Sequence, residues 1–231
     1  MPAVEDISVL ATISLFEEVA ESDLEQLNQL LHKKAFPSAT NVITVADRTE
    51  LVFVLLEGTV KIYVDQLDGS EVILAFLGPG DAFGEMGMVS SAGRSANVVT
   101  LERCVTLAMD RNSFHRCLKE MNQLSYNLAR LTARRLRLAN EQIQALSTLD
   151  VRGRVARQIV AFAQQYGEPI DEGGVRIPLR LTQTDVASLV GASRERVNQV
   201  IVDFKESGFI SVDPTHRISV HDQNALIARF Q

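Results

Sequence analysis

The chain is poor in the residues that staple small secreted domains or hold metal clusters. Cys104 and Cys117 are its only cysteines, too few for a disulfide framework, a CxxC metal site or a four-thiolate iron–sulfur cluster. Both read as small apolar packing residues. The histidines, His32, His115, His216 and His221, fall in unrelated contexts, which argues against heme sensing as well. No 18-residue apolar run occurs, and the opening stretch MPAVEDISVLATISLFEEVAE carries acids where a signal peptide needs basic residues. The expectation is a cytoplasmic protein with no membrane partner. Catalytic motifs are also missing: there is no strand–GxGxxG–helix, GxSxG, HExxH or P-loop pattern. Paired carboxylates such as Glu17-Glu18 read as solvated helix faces. Neither a cofactor, a metal nor an enzymatic activity is expected.

What is present is a sequence able to bury a core. Its 231 residues are 46% hydrophobic and 23% charged, enough for two small domains or one large one. The net charge of −6 argues against nucleic acid only as an average. Residues 1–150 hold 13 Lys and Arg against 20 Asp and Glu, whereas residues 151–231 hold 10 against 9. An acidic sensor joined to a smaller domain with local basic residues fits this asymmetry.

The organising stretch is the run from Asn112 to Leu149, which contains no Gly or Pro and follows Asp110, a good N-cap residue. Its roughly 38 residues would reach about 57 Å as one helix. Ala129, Ala133, Leu136, Asn140, Ile143 and Ser147 alternate spacings of four and three, like a coiled-coil seam. Leu124, Leu128, Leu131, Leu138 and Leu149 make a second stripe on a neighbouring face. The pattern suits one core helix buried on two sides, or a helix that packs on its own domain and on a second copy. A polar Asn140 in mid-seam favours the paired reading.

Residues 1–33 read as helical, with Ser22 or Asp23 capping a helix that lines up Leu24, Leu27, Leu30 and Leu31. From Ala35 to Met109 the texture is β: VITV (42–45), LVFVLL (51–56), TVKIYV (59–64), EVILAFL (71–77) and CVTLAM (104–109). Turn signals at Glu57-Gly58, Asp68-Gly69-Ser70 and Gly78–Asp81 separate the runs, predicting an antiparallel roll or barrel. After the long run, Asp150 caps a helix over 151–167, a loop covers 168–174 and a strand covers 175–181. Thr182 then starts a helix, Gly191 makes a turn, and Ser193 caps a second helix with Val197, Val200, Ile201 and Phe204 inward. The early outer face of this helix shows Arg194, Glu195, Arg196, Asn198 and Gln199, side chains suited to base edges in a major groove. Phe209–Val212 and Arg217–Val220 form a wing hairpin around Asp213-Pro214-Thr215-His216.

Within the β region lies FGEMGMVSSAGRSANV, residues 83–98. Gly84 and Gly87 permit close backbone approach, Arg94 offers a forked cation with Ser95 beside it, and Glu85 can accept from a sugar hydroxyl. Alone, these residues also read as a surface turn with an Arg–Glu ion pair. In context, FGE followed by RSA resembles the phosphate-binding cassette of cyclic-nucleotide-binding domains. The roll, the helix ending RRLRLANEQIQALSTLD and the terminal helix-turn-helix together resemble the CRP/FNR family of bacterial transcription regulators, closest to its cyclic-AMP receptor branch.

The resemblance implies an α+β chain with three parts. These are an N-terminal cyclic-nucleotide-binding, jelly-roll-like β-roll over 1–111, a long dimerisation helix over 112–149, and a C-terminal winged helix-turn-helix over 150–231. It implies a ligand set of Gly84, Glu85, Met86, Arg94, Ser95, Ala96, Arg135, Ala139 and Asn140. Glu85 would face the ribose and Arg94 and Ser95 the cyclic phosphate, with Arg135 either pairing with Glu85 or standing as a solvated helix charge. The family's Thr-Ser or Thr-Asn pair on the long helix reads Ala139-Asn140 here, so one hydroxyl is missing. A lost hydrogen bond costs about 0.5–1.5 kcal/mol. Thr182, Gln183, Thr184, Ser193, Arg194, Glu195, Arg196 and Gln199 are the implied DNA-binding set, reading palindromic TGTGA-like half-sites. Gln199 stands where the family often has Arg or Lys. A homodimer is expected, gated by cyclic AMP, with RNA polymerase as protein partner through exposed surface such as 168–174. The alternatives are a different effector, cyclic di-GMP, or none, motivated by Ala139, Gln199 and the shortened turn 46–49. A nucleotide-binding regulatory subunit without DNA is a further reading, opposed by the SRE helix and wing.

Overall fold

A computed structural model describes residues 2–46, 49–69, 71–90, 93–170 and 173–230. Asp47 and Arg48 of the shortened turn, Ser70 of the Asp68–Ser70 turn, and Asp171 and Glu172 of the 168–174 loop lie outside them. Contacts divide the chain into two compact units, Met1–Tyr63 with Phe76–Leu138, and Val64–Ala75 with Ala139–Gln231.

The first unit opens with a short helix α1 (Ser8–Ala11) and a longer helix α2 (Glu21–Leu30). Residues 12–19 between them are turns rather than the helix expected over 1–33. The cap also differs: Ala20 is the N-cap of α2 and offers no side-chain bond, while Ser22 and Asp23 sit inside the first turn. There the acids Glu21 and Asp23 face the positive end of the helix dipole, which supplies what the cap lacks. Leu24, Leu27 and Leu31 are buried, as their spacing requires.

The β region follows as β1 (His32–Phe36), β2 (Asn41–Ile43), β3 (Leu51–Glu57), β4 (Val60–Asp65), β5 (Glu71–Leu77) and β6 (Ala82–Phe83). A five-residue helix α3 (Glu85–Val89) interrupts it before β7 (Asn97–Thr100) and β8 (Cys104–Asp110). One sheet has the order β1-β8-β3-β6 and the other β2-β7-β4-β5. β8, buried at every position but the last, pairs antiparallel with both β1 and β3. A strand covered on both faces is largely apolar; in CVTLAM the buried Thr106 is the polar exception, its hydroxyl donating to the Lys34 carbonyl at 3.4 Å. β1 reads HKKAF with four exposed positions, so edge placement overrode its polar sequence.

The run expected as one helix from Asn112 is two: α4 (Arg111–Glu120) and α5 (Asn122–Thr148). Met121 adopts an extended backbone, φ −111° and ψ 96°, without any Gly or Pro to force it. Phe114, Cys117, Met121 and Leu124, spaced three, four and three residues apart, are all nearly inaccessible in one cluster with α2 and the sheet. The Ser125 hydroxyl repairs the junction by donating to the Leu118 carbonyl at 2.5 Å. Asp110 caps α4 as expected, accepting from the Ser113 amide at 3.0 Å.

The inner stripe is buried only in the first half of α5: Leu124 and Leu131 are buried and Leu128 is half-buried, but Leu138 is exposed, as are Ala129, Ala133, Leu136, Asn140, Ile143 and Ser147. A buried Asn127 ties the N-terminal segment to the helix, donating to the carbonyls of Leu15 at 3.1 Å and Glu17 at 2.6 Å.

The second unit contains α6 (Val151–Tyr166), β9 (Glu168–Pro169), β10 (Val175–Ile177), α7 (Gln183–Val190), α8 (Arg194–Glu206), β11 (Ile210–Val212), β12 (Ile218–Val220) and α9 (Gln223–Ile227). Its sheet order is β11-β12-β10-β9. The strand expected over 175–181 stops at Ile177 because Pro178 has no amide to donate. Asp150 caps α6 by accepting from the Gly153 amide at 2.7 Å, and Gly167 ends it with an extended backbone.

Asp213 organises the turn between β11 and β12. It accepts from the Thr215 hydroxyl at 2.6 Å, the Thr215 amide at 2.8 Å, the Arg217 amide at 3.0 Å and Arg176 at 2.7 Å. These donors, Thr215 foremost, hold its carboxyl well below the usual carboxylate range. A carboxyl with a lowered folded pKa stabilises the fold fully above its unfolded value of about 3.9 and loses that contribution as pH falls below it. Asp213→Asn should therefore lower the melting temperature at pH 7 by about 4–8 °C, the shift of about 1 kcal/mol in a domain of this size. Melts recorded from pH 7 down to pH 3 should show the gap to the parent closing below about pH 4.

Candidate ligand cassette and nucleic-acid interface

The turn from β6 into α3 sets the cassette. Gly84 is the N-cap of α3 with φ 81°, a left-handed conformation that a side chain resists. A Cβ there would stand 2.9 Å from Ile43 Cδ1 and 3.0 Å from both Arg94 Nη1 and the Leu51 carbonyl. Both the angle and the space demand glycine. The turn delivers Glu85 inward at 3% exposure, where its carboxylate meets the Arg135 guanidinium from α5. Arg135 also donates to the Ala82 carbonyl, so one side chain joins α5 to both ends of the turn. Of the two readings of Arg135, the ion pair with Glu85 is the one present.

Arg94 is 9% exposed and lies under the same turn. It donates to the carbonyls of Gly84 and Leu51, each at 2.9 Å, and to that of Thr49. The guanidinium thus cross-links the cassette turn, the start of β3 and the segment leading into it. Ser95 is exposed and Ala96 buried, while Met86 projects from α3 at 55% exposure. Gly84, Glu85, Arg94 and Arg135 therefore form one cluster in the first unit. Ala139 and Asn140 belong to the second unit, where both are exposed on α5.

Two contributions were missed from sequence. The carbonyls that surround Arg94 carry no side-chain signature. The helix α3 is too short for periodicity to reveal it, and EMGMV reads equally as loop.

In the second unit, α7 and α8 form the helix pair. Thr182 and Asp185 make a reciprocal capping box, with the Asp185 amide donating to Thr182 at 3.2 Å and the Thr182 amide to Asp185 at 3.0 Å. Gly191 takes φ 63° and ψ 53° at the end of α7, the left-handed stop that turns the chain towards α8. The Ser193 hydroxyl accepts from the Arg196 amide at 3.3 Å and caps α8. Val197, Val200, Ile201 and Phe204 are buried as their spacing predicts. Arg152 holds α8 to α6, pairing with Asp203 and lying 5.3 Å over the Phe204 ring.

The opposite face of α8 is open. Arg194, Glu195, Arg196, Asn198 and Gln199 are exposed, with Arg196 3.4 Å from the Gln199 side-chain oxygen. Its own backbone amide, then Ser193, lower the Glu195 carboxyl, which stays an acceptor. Thr184 is exposed, and Thr182 and Gln183 are half-buried at the start of α7. Within this unit the end of α5 holds α7 and α6: Gln142 donates to the Leu189 carbonyl of α7 at 2.8 Å, and Glu141 pairs with Arg157 of α6 at 2.7 Å. Among the described residues no helix is long and apolar enough to cross a membrane.

Two family models match the chain: a cyclic nucleotide-binding domain over residues 33–121 and a Crp-like helix-turn-helix domain over residues 153–229. A CRP-like cAMP-activated global transcriptional regulator of Mycobacterium tuberculosis is 33% identical over 205 residues, covering 89% of this chain and 91% of the relative. The cAMP-activated global transcriptional regulator Vfr of Pseudomonas aeruginosa is 31% identical over 196 residues, covering 82% of this chain and 91% of the relative. The solved structure of FixK2 from Bradyrhizobium japonicum superposes with a TM-score of 0.76 over 87% of this chain and 98% of its own. At 18% identity that likeness shows the fold alone.

Proposed function

The chain belongs to the CRP/FNR family of transcription regulators, and on that premise we propose that it is a homodimer whose binding to DNA is gated by cyclic AMP. One observation carries the reading: Gly84, Glu85, Arg94 and Arg135 are gathered at a glycine-only turn, on the same chain as a capped helix with an open Arg-Glu-Arg face. In the proposed division, residues 1–111 sense, 112–149 pair two chains, and 150–231 read DNA.

The cyclic phosphate is taken by Arg94 and Ser95 and the ribose hydroxyl by Glu85, with Gly84, Met86 and Ala96 shaping the backbone around them. A ribose hydroxyl donating to Glu85 shares that carboxylate with Arg135, so ligand occupancy is felt on α5. Ala139 and Asn140, exposed on the same helix, are assigned to the base, Asn140 supplying both a donor and an acceptor. Gating requires only that the ligand bind the DNA-competent arrangement more tightly than the other. Arg194 and Glu195 are assigned to G·C pairs of a TGTGA-like half-site and Gln199 to a further base. Thr182, Gln183, Thr184, Ser193 and Arg196 are assigned to phosphates, which fix position without reading sequence. Two half-sites about 34 Å apart match a two-fold pair of α8 helices. RNA polymerase is the proposed protein partner.

The test is calorimetric titration with cyclic AMP and, separately, cyclic di-GMP, followed by binding to a palindromic duplex with and without each. Cyclic AMP should tighten the specific complex at least tenfold. Arg194→Ala should weaken it by about 1–3 kcal/mol and relax the base preference at one position in each half-site. A specific complex indifferent to both nucleotides would reject gating, and a stronger response to cyclic di-GMP would reassign the effector. Ala139 is the residue that makes the second arm necessary.

A further inference from the structure

Helix α3 places Glu85, yet at five residues it cannot hold its own shape. Its amino end is fixed by the Gly84 turn and the Glu85–Arg135 pair. Its middle is fixed by Met88, 2% exposed within the core of the first unit. The carboxyl end depends on donors from two residues. Ser90 covers the Met86 carbonyl with both its amide and its hydroxyl, each at 2.9 Å. The Met88 carbonyl is bonded at 2.7 Å by Nε2 of His115, a half-buried residue on α4. A carbonyl can only accept, so Nε2 carries the hydrogen.

Resting on the ligand reading above, we propose that His115 is a positioning residue for nucleotide recognition. By holding the far end of α3, it keeps the Glu85 carboxylate where a ribose 2′-hydroxyl must meet it. The argument is one of leverage. α3 is a single turn and a half, anchored at its two ends by side chains from α4 and α5, and a short helix freed at one end pivots about the other. Glu85 is the first residue past the pivot at Gly84, so a released carboxyl end changes the carboxylate's aim. His115 touches no ligand atom in this scheme; its effect passes through the Met88 carbonyl and the backbone of α3.

The hydroxyl-specific part of the affinity isolates this effect. The full-length protein is titrated with cyclic AMP and with 2′-deoxy cyclic AMP, and the ratio of the two dissociation constants reports on Glu85 alone. His115→Phe keeps the ring and its packing but removes the donor. It should weaken cyclic AMP about tenfold, leave the deoxy compound nearly unchanged, and so collapse the ratio. His115→Gln places an amide nitrogen at the reach of Nε2 and should restore the ratio. His115→Asn, which reaches only as far as Nδ1, should not.

A merely structural role predicts something else: equal weakening of both nucleotides, a lowered melting temperature, and no difference between the Gln and Asn variants. That pattern would overturn the proposal, as would a ratio unchanged in His115→Phe. If the parent protein binds neither nucleotide, the ligand reading itself falls, and the proposal with it. A parent that binds both with equal strength would show that Glu85 does not meet the hydroxyl, which rejects the proposal directly.

Discussion

Replacing Leu136 and Ile143 together with glutamate should convert the proposed dimer to monomers while leaving each chain folded. Both side chains stand on the outer stripe of α5, 62% and 63% exposed in the single chain, so neither contributes much to its own unit. Burying a Leu or Ile fully is worth about 1.5–3 kcal/mol, and a two-fold interface counts every residue twice. Four carboxylates at that seam would remove the apolar gain and add mutual repulsion. Sedimentation at micromolar concentration should give half the parent mass, with an unchanged circular dichroism spectrum. The effect on DNA should be larger than the effect on association suggests. A dimer that engages two half-sites gains about 10²–10⁴-fold over one engaged alone. Affinity for the palindrome should therefore drop at least about 100-fold, while affinity for an isolated half-site stays the same. A double variant that remains dimeric would move the interface elsewhere on the molecule. One that becomes monomeric yet keeps its affinity for the palindrome would show that pairing does not organise the reading heads.

Why the outer stripe of α5 was readable from sequence, and the junction at Met121 was not, comes down to what decides each. Ala129, Ala133, Leu136, Asn140, Ile143 and Ser147 share a face because helix geometry alone puts them there. The break between α4 and α5 carries no such signal, with neither Gly nor Pro at Met121. The same division runs through the site. Gly84 was legible because only glycine tolerates that angle, whereas Arg135, 50 residues from Glu85, was left open between the ion pair and a solvated charge until the fold brought the two together. The three carbonyls around Arg94 and the one that meets His115 were not legible, since every residue has a carbonyl and only the fold selects which of them face an arginine. In the second unit nearly every device is local. The Thr182–Asp185 box, the Gly191 stop and the Ser193 cap all act within four residues, which is why the helix pair could be drawn from the sequence almost as it stands. At the amino end the reverse held: Ser22 and Asp23 have the right chemistry for a cap, but the helix starts at Glu21, upstream of both.

Arg135→Met should be the most damaging single substitution in the sensor part of the molecule. The Glu85 side chain is only 4% exposed, and Arg135, at 26%, is its ion-pair partner across the cassette turn. Removing one member of a buried pair costs about 3–5 kcal/mol, mostly because the other charge is left in a poorly solvating place. The partial exposure of Arg135 lets some water in, so the lower end, about 3 kcal/mol, is expected from chemical denaturation. The loss comes from the stranded carboxylate rather than from the missing attraction, and a second substitution tests that. In the double variant Glu85→Met with Arg135→Met, no charge is left to strand, and most of the stability should return because an apolar pair of similar volume replaces the ions. Cyclic AMP affinity should not return with it, since the group assigned to the ribose is gone. Stability and recognition then part company in one pair of measurements. If Arg135→Met proves as stable as the parent, Glu85 does not depend on this pair and the link from cassette to α5 is lost. If the double variant stays as unstable as the single one, the damage lies in the packing of α5 and not in the charge.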